Sequence, residues 1–190
     1  DNTPAYLYLK RLLQFLQWQK KRSGQQAACW LLKTPHHIHH IATLLKVFPD
    51  AKIVQTHRDP LQTIPSAASM NYNLWVLGSD DVDGKVVGEQ WAAKYARGTL
   101  HTLQTRDRQP EAFLDVWYKD TVADPLSSVQ KVYNFIGMEL TEAAQLAMEQ
   151  HQEANRRDSR PAHEYTLAQF GLTEAGLKAQ FAEYRQRFVV

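Results

Sequence analysis

The sequence predicts an α/β fold in which helices flank a parallel sheet. Two observations carry this prediction. Short apolar runs at residues 27–33, 52–57 and 112–118 are typical of strands that are buried on both faces. Longer segments with apolar residues at helical spacing alternate with them, which favours parallel strands joined by helices. Three strands make a small sheet for this much helix, so we expect the sheet to be incomplete.

The helices are predicted from apolar residues that recur every three or four positions. Asp124 and Pro125 are typical of an N-cap and a first helical position, and Gly137 is expected to end the helix that they begin. The predicted helices cover residues 4–21, 37–48, 60–73, 89–106, 125–136, 141–153 and 173–188. Residues 74–88 contain three glycines and three aspartates, and we expect a mobile loop there.

Length and composition narrow the class of protein. The chain has 190 residues, of which 44% are apolar and 22% charged, and this is the composition of one globular domain. A net charge of +2 argues against a nucleic-acid partner, and no run approaches the ~20 apolar residues of a membrane span. Cys29 is the single cysteine, which excludes a disulfide framework. With no signal peptide, we expect a cytoplasmic protein.

Two cations follow predicted strands. Lys33 ends the first apolar run and Arg58 follows the second. Ligands of open α/β sheets bind where parallel strands end, so the two side chains predict an anion site on one rim. A guanidinium can donate two hydrogen bonds to a phosphate, each worth about 1.5–3 kcal/mol. A solvated strand end is the alternative for Lys33.

A hydroxyl is predicted beside the same anion. If Pro65 begins a helix, Ser66 lies in its first turn, where its hydroxyl and its amide can both reach a phosphate. The residue types allow a second interpretation equally well. In it, Arg58 and Asp59 form a surface ion pair beside a helix cap.

These residues stand in a recognisable order. The pattern Trp30-x-Leu-Lys33-x-Pro-x-His37 is followed by Phe-Pro-Asp-Ala at 48–51, then by His57-Arg-Asp-Pro and Ser66. It resembles the bacterial branch of the sulfotransferase superfamily that uses 3′-phosphoadenylyl sulfate (PAPS). The resemblance implies a P-loop-NTPase-like parallel sheet flanked by helices. It also implies that Arg58 and Ser66 hold the 3′-phosphate of PAPS or of adenosine 3′,5′-bisphosphate.

Later segments extend the resemblance. Trp117-Tyr118-Lys-Asp before Asp124-Pro is similar to the family's Tyr-x-Asp…Asp-Pro segment, which implies that Tyr118 lies near the adenine. The C-terminal pattern combines His-Glu-Tyr at 163–165, Phe-Gly-Leu at 170–172 and a last helix with Phe181, Tyr184 and Phe188. Related enzymes use a basic segment near the 3′-phosphate, so the resemblance adds Arg160 and His163 to the cofactor-binding residues.

The resemblance also implies catalytic roles. Sulfuryl transfer from PAPS to a hydroxyl or amine passes through a loose transition state, so cations and positioning supply most of the catalysis. Lys33 would neutralise charge at the sulfuryl group and the bridging oxygen. The general base would be His37, with His36 as the alternative. His36 and His40 are four residues apart and compatible with one metal ion, but no third ligand is evident and we predict no metal site.

One half of the family's site is not found. The P-loop-like segment that cradles the 5′-phosphosulfate has a pattern such as Arg-Ser-Gly-Thr-Thr after a strand, whereas Arg22-Ser-Gly24 precedes a predicted strand. We therefore expect a partial domain over residues 1–190, truncated at its N-terminus and inactive alone. The alternatives are a non-catalytic domain that binds a nucleotide 3′-phosphate, and a nucleotide-kinase-like protein, although no Walker lysine is evident.

The acceptor is predicted only as a class. Residues 67–90 are expected to border its pocket, and residues 74–88 to form its mobile substrate loop. Tyr72, Trp75 and Leu77 would suit a lipid, polyketide or phenolic acceptor, and equally a packed lid. The sequence does not predict the oligomeric state.

Overall fold

Two parallel strands form the sheet of this computed structural model. Strand β1 (Ile53–His57) pairs in register with β2 (Phe113–Trp117), so that His57 lies opposite Trp117. The next residues, Arg58 and Tyr118, therefore leave the sheet at the same edge. The predicted α/β fold with a small parallel sheet and flanking helices is confirmed.

The structure describes residues 1–155 and 164–190. Its α-helices in chain order are α1 (Thr3–Arg22), α2 (Ile41–Val47), α3 (Pro60–Trp75), α4 (Gly84–Arg106), α5 (Tyr118–Ala123), α6 (Pro125–Ile136), α7 (Glu142–Ala154), α8 (Glu174–Gln180) and α9 (Ala182–Phe188). Short 3-10 helices cover Pro35–His39, Pro110–Ala112 and Ala168–Phe170. In these described ranges, no helix combines the length and the apolar character needed to cross a bilayer.

The chain divides into two compact units. The first consists of Asp1–Ala51 and Arg97–Pro110, and the second of Lys52–Ala96 and Glu111–Val190. The chain passes between the units three times, and one of these crossings falls within α4. The expectation that residues 1–190 belong to one partial domain stays a prediction.

The first unit packs the short helix α2 against α1. Four of the seven residues of α2 are buried, as are Tyr6 of α1 and Leu103 of α4. The Thr102 hydroxyl donates a hydrogen bond of 2.9 Å to the carbonyl of Ile38, which ties α4 to the 3-10 helix Pro35–His39. This core fixes the backbone around the predicted catalytic histidines.

The second unit packs helices around Ile64 of α3. Its buried cluster joins Ile64 to Ala92 of α4 and to Leu177 and Phe181 near the C-terminus. Burying an aliphatic or aromatic side chain stabilises a fold by roughly 1.5–3 kcal/mol. The cluster therefore anchors α3, which begins directly after the predicted anion-binding arginine.

The caps of α6 confirm its predicted bounds. The Asp124 carboxylate accepts a hydrogen bond of 2.9 Å from the amide of Ser127, and Pro125 takes the first helical position. Gly137 ends the helix with φ of 72°, in the left-handed region that glycine adopts without a Cβ penalty.

The predicted strand at residues 27–33 is wrong. The segment has no regular secondary structure, and Leu31 is 92% exposed. An apolar run becomes a strand only when its backbone groups pair with a neighbouring strand. In the described part of the chain, the sheet consists of β1 and β2, and this run joins neither.

Several helices differ from their predictions. Helix α3 begins at Pro60 as predicted but continues through Pro65 to Trp75, and the Asp59 side chain caps its start by accepting a hydrogen bond from the amide of Leu61. The predicted helix 37–48 is split into a 3-10 helix and α2, and the predicted helix 173–188 into α8 and α9. The predicted loop 74–88 is shorter, since α3 extends to Trp75 and α4 begins at Gly84.

Candidate functional site

Arg58 lies against the ring of Tyr118 where the two strands end. Its guanidinium carbon is 4.2 Å from the ring centroid, a cation–π contact between residues that follow paired strands at equivalent positions. The structure therefore brings together two of the predicted cofactor-binding residues. We call Arg58, Gln62, Ser66 and Tyr118 the strand-end rim.

Gln62 orients the arginine from the first turn of α3. The Arg58 Nε donates a hydrogen bond of 2.8 Å to the Gln62 side-chain oxygen. Ser66 lies four residues further along α3, on the same face as Gln62. The spacing of 58, 62 and 66 thus extends one polar face from the strand end into the helix.

Ser66 is not in the first turn of a helix, contrary to the prediction. It is the seventh residue of α3, which begins at Pro60. An amide in a helix interior donates to the carbonyl four residues before it. The hydroxyl of Ser66 is therefore the group that can reach a ligand, and its amide is committed to the helix.

The alternative ion pair between Arg58 and Asp59 is not what the structure shows. Asp59 accepts hydrogen bonds from the Leu61 amide and from the Arg185 guanidinium. The side chains of Asp59 and Arg185 are 23% and 12% exposed, so their ion pair is largely screened from water. Asp59 faces the C-terminal helix α9, whereas Arg58 contacts Tyr118 and Gln62.

A buried histidine precedes the arginine. His57 is 1% exposed, with Nε2 at 2.8 Å from the Asp115 carboxylate and Nδ1 at 2.9 Å from the Tyr184 hydroxyl. An ionised carboxylate can only accept, so Nε2 donates to Asp115, while Nδ1 shares a hydrogen bond with the Tyr184 hydroxyl. The Phe188 ring stacks on His57 with centroids 4.0 Å apart. These contacts join β1, β2 and α9.

The predicted catalytic histidines lie in the first unit, in the 3-10 helix Pro35–His39. Thr34 caps this helix by accepting a hydrogen bond of 3.3 Å from the amide of His36. The Nδ1 of His37 is 2.8 Å from the Tyr6 hydroxyl. Burial, and then the neighbouring His36 and His40, lower the pKa of His37. A lowered pKa favours the neutral imidazole, the form that a general base requires.

Lys33 precedes this histidine group in an exposed segment. Lys33, His36 and His37 belong to the first unit, and the strand-end rim belongs to the second. Among residues 1–155 and 164–190, no three His, Cys, Asp or Glu side chains are grouped as metal ligands. Arg160 and His163 lie outside the described residues, and their predicted roles stay predictions.

The sequence reasoning missed five residues around Arg58. They are His57, Gln62, Asp115, Tyr184 and Arg185. Asp115 carried a signal, because a carboxylate inside an apolar strand pattern calls for a partner. Gln62 follows Arg58 by four residues, a spacing that also suggests contact. No local sequence pattern indicated that α9 contacts the residues before and after Arg58.

A family model described as "Sulfotransferase family" matches residues 3–142 of the chain. The chain belongs to the sulfotransferase family. The match covers the histidine group and the whole strand-end rim. It confirms the family that the motifs indicate and argues against the nucleotide-kinase alternative.

Curated and solved relatives of this family member come from mycobacteria. The omega-hydroxy-beta-dihydromenaquinone-9 sulfotransferases Stf3 of Mycobacterium bovis and Mycobacterium tuberculosis are each 29% identical over 117 residues, 57% of this chain. The crystal structure of sulfotransferase STF9 from Mycobacterium avium aligns with the whole chain at 30% identity and a TM-score of 0.83. Sulfotransferase STF1 from Mycobacterium tuberculosis aligns with 81% of it at 31% identity and a TM-score of 0.69.

The chain is shorter than these relatives. It spans 28% of the length of the Stf3 proteins. It covers 48% of the STF9 chain and 39% of the STF1 chain. The similarity therefore concerns a part of each relative.

Proposed function

We propose that this chain carries the 3′-phosphate-binding part of a sulfotransferase that uses PAPS. The observation that carries the proposal is the strand-end rim. Arg58 leaves β1 at the edge where Tyr118 leaves β2, and the two side chains are in contact. Family membership supplies the reaction class, and the rim supplies a place for the nucleotide.

The chemistry of the rim fits a nucleotide phosphate. A guanidinium and a hydroxyl, from Arg58 and Ser66, are groups that donate hydrogen bonds to phosphate oxygens. Gln62 engages the Nε of Arg58, which orients the rest of the guanidinium. The aromatic ring of Tyr118 offers a surface for an adenine. No metal ion is needed to explain this set of groups.

The proposed transfer assigns two roles in the first unit. When bound, PAPS supplies an activated sulfuryl group for an acceptor hydroxyl or amine. Lys33 would neutralise charge that develops on the transferred group. His37 would accept the acceptor's proton, and its lowered pKa keeps it neutral for that purpose. His36 is the alternative base.

The 5′-phosphosulfate side of the site is not provided by either described strand. Residues 58–60 link β1 to α3 without a glycine, and Tyr118 begins α5 directly after β2. Gly24 follows α1 rather than a strand. These observations support the proposal that the chain alone binds nucleotide without transferring sulfate.

A second candidate is a binding domain without catalysis. The observation that favours it is the irregular segment at residues 27–33, which leaves Lys33 exposed and outside the sheet. A lysine that is not held at a strand end loses the preorganisation that catalysis requires. This candidate keeps the strand-end rim and omits the roles of Lys33 and His37.

The acceptor that we propose is an apolar lipid. The Stf3 relatives are named for a menaquinone, and the end of α3 exposes apolar side chains in this chain. Leu74 is 56% exposed, Trp75 39% and Leu77 83%. Tyr72 instead packs edge-on against Phe170, with centroids 6.2 Å apart. The proposed substrate segment is therefore the exposed end of α3 and the loop that follows.

Calorimetry with two nucleotides tests the proposed function. Arg58→Ala should weaken binding of adenosine 3′,5′-bisphosphate by more than about ten-fold, the loss of roughly 1.4 kcal/mol or more. Binding of adenosine 5′-monophosphate should change much less, because it lacks the 3′-phosphate. Arg11→Ala, which removes an exposed arginine of α1, is the control. An unchanged affinity of Arg58→Ala for the bisphosphate would contradict the proposal.

Incubation with PAPS and a long-chain alcohol tests the expectation, shared by both candidates, that the 190-residue chain does not transfer sulfate. Sulfate transfer by the 190-residue chain would contradict the binding-only candidate. It would also contradict our proposal that this chain does not transfer sulfate alone.

A further inference from the structure

The two residues on either side of Arg58 are both held by α9. His57 contacts the Tyr184 hydroxyl, and Asp59 pairs with Arg185. Tyr184 and Arg185 are consecutive in α9, although they are 126–127 residues away from their partners in the chain. One turn of a C-terminal helix therefore fixes the backbone on both sides of the rim arginine.

The fixed side chains point away from the ligand rim. Successive side chains of an extended backbone lie on opposite faces, and the contacts follow this rule. His57 and Asp59 contact α9, whereas Arg58 between them contacts Tyr118 and Gln62. Because α9 holds His57 and Asp59, the side chain of Arg58 between them is directed to the opposite side.

The two contacts are strong enough to hold the backbone. His57 and Tyr184 are buried, and Asp115 completes the hydrogen bonding of the imidazole. The Arg185–Asp59 ion pair is largely shielded from water, so solvent and salt screen it less than a surface pair. Asp59 also caps α3, which carries Gln62 and Ser66. A loss of Arg185 would therefore affect Arg58 and the two rim residues on α3, Gln62 and Ser66.

We propose that Tyr184 and Arg185 are positioning residues that fix Arg58 and the first turns of α3 for recognition of a 3′-phosphate. This inference rests on the proposed function for the identity of the ligand. It adds that α9, which contributes no rim residue, sets the affinity for the 3′-phosphate. Substitution of these residues should reduce the affinity for nucleotides that carry a 3′-phosphate and leave the affinity for other nucleotides nearly unchanged. The reason is that a mispositioned guanidinium weakens contacts to the 3′-phosphate and spares the rest of the nucleotide.

The test compares Arg185→Gln and Tyr184→Phe with Lys178→Gln. The control removes one positive charge from α8, where Lys178 pairs with Glu174 at the surface. Calorimetry of each variant would use adenosine 3′,5′-bisphosphate and adenosine 5′-monophosphate. We expect Arg185→Gln to lose about ten-fold in affinity for the bisphosphate and less than about two-fold for the monophosphate. Equal losses for both nucleotides, or none, would overturn the inference.

A second measurement does not depend on the ligand. The amide of Leu61 donates to the Asp59 carboxylate, so its hydrogen exchange reports whether Asp59 is held. It should exchange at least about five-fold faster in Arg185→Gln than in Lys178→Gln, with the amides of β1 unchanged. If the wild-type chain binds no bisphosphate, the proposed function fails, and an unchanged Leu61 exchange would then overturn the positioning role as well. Tyr184→Phe removes a single hydroxyl and keeps the test valid if Arg185→Gln does not fold.

Discussion

The Arg58 guanidinium lies 4.2 Å from the centre of the Tyr118 ring, and the two residues follow paired strands at equivalent positions. The register of the sheet therefore determines this contact. The Tyr118 ring contacts the guanidinium, and the Gln62 side-chain oxygen accepts a hydrogen bond from its Nε. An arginine fixed in this way loses less conformational entropy when it binds an anion.

The aromatic ring of Tyr118 should matter more than its hydroxyl. Tyr118→Phe keeps the ring and should bind adenosine 3′,5′-bisphosphate within about two-fold of wild type. Tyr118→Leu removes the cation–π contact, worth about 0.5–2 kcal/mol, and should weaken binding about two- to thirty-fold. Calorimetry would measure the affinity of the two variants for the bisphosphate. Equal affinities of Tyr118→Phe and Tyr118→Leu would show that the ring does not hold Arg58.

The stability of the first unit should depend on pH through His37. Burial and the neighbouring His36 and His40 lower its pKa in the folded chain below the ordinary value of about 6.5. As the pH falls through that ordinary value, the unfolded chain binds the proton first and the free energy of unfolding decreases. At pH values above the ordinary pKa, His37 is neutral in both the folded and the unfolded chain. Below the pKa of the folded chain His37 is protonated in both, and the loss of stability is complete.

Urea unfolding at about pH 8 and about pH 5.5 measures this effect. The variant His37→Gln should lose less stability between the two pH values than wild type. His151→Gln, at an exposed histidine of α7, should behave like wild type and serves as the control. A decrease of the same size in His37→Gln and wild type would contradict the assignment.

Gly88 allows α4 to approach the segment before α8. A Cβ at this position would lie 2.1 Å from the carbonyl oxygen of Phe170 and 2.7 Å from its Cβ. Backbone atoms cannot yield as a flexible side chain can, so Gly88→Ala should destabilise the fold by about 1–3 kcal/mol. Gly78→Ala is the matched control, since a Cβ at Gly78 would lie 3.9 Å from its nearest neighbour, the carbonyl oxygen of Trp75. Thermal unfolding midpoints would compare the two, and equal midpoints would contradict this packing.

Local patterns were sufficient for most of the second unit. Strand β1, strand β2 and the capped helix α6 lie where apolar runs and capping residues predict them. Arg58 was predicted as a site residue because it follows a strand, and Tyr118 because the family resemblance implies it; the register shows that both leave the sheet at the same edge. Such features depend on neighbours within a few residues, which the sequence displays directly.

Other predictions failed where a distant partner decides the outcome. The apolar run 27–33 has strand composition, but a strand requires a hydrogen-bonded neighbour that composition cannot supply. Pro65 suggested a helix start, yet the Asp59 cap begins α3 five residues earlier and places Ser66 in the helix interior. Both errors come from giving local residue types more weight than their hydrogen-bond partners.

The sequence by itself determined the α/β class, the family motifs and the arginine at the end of a strand, because each depends on spacing along the chain. Only the tertiary structure decided how Arg58 is held. His57 and Asp59 meet Tyr184 and Arg185 across 126–127 residues, and such contacts form only when the packing of α9 brings the two segments together.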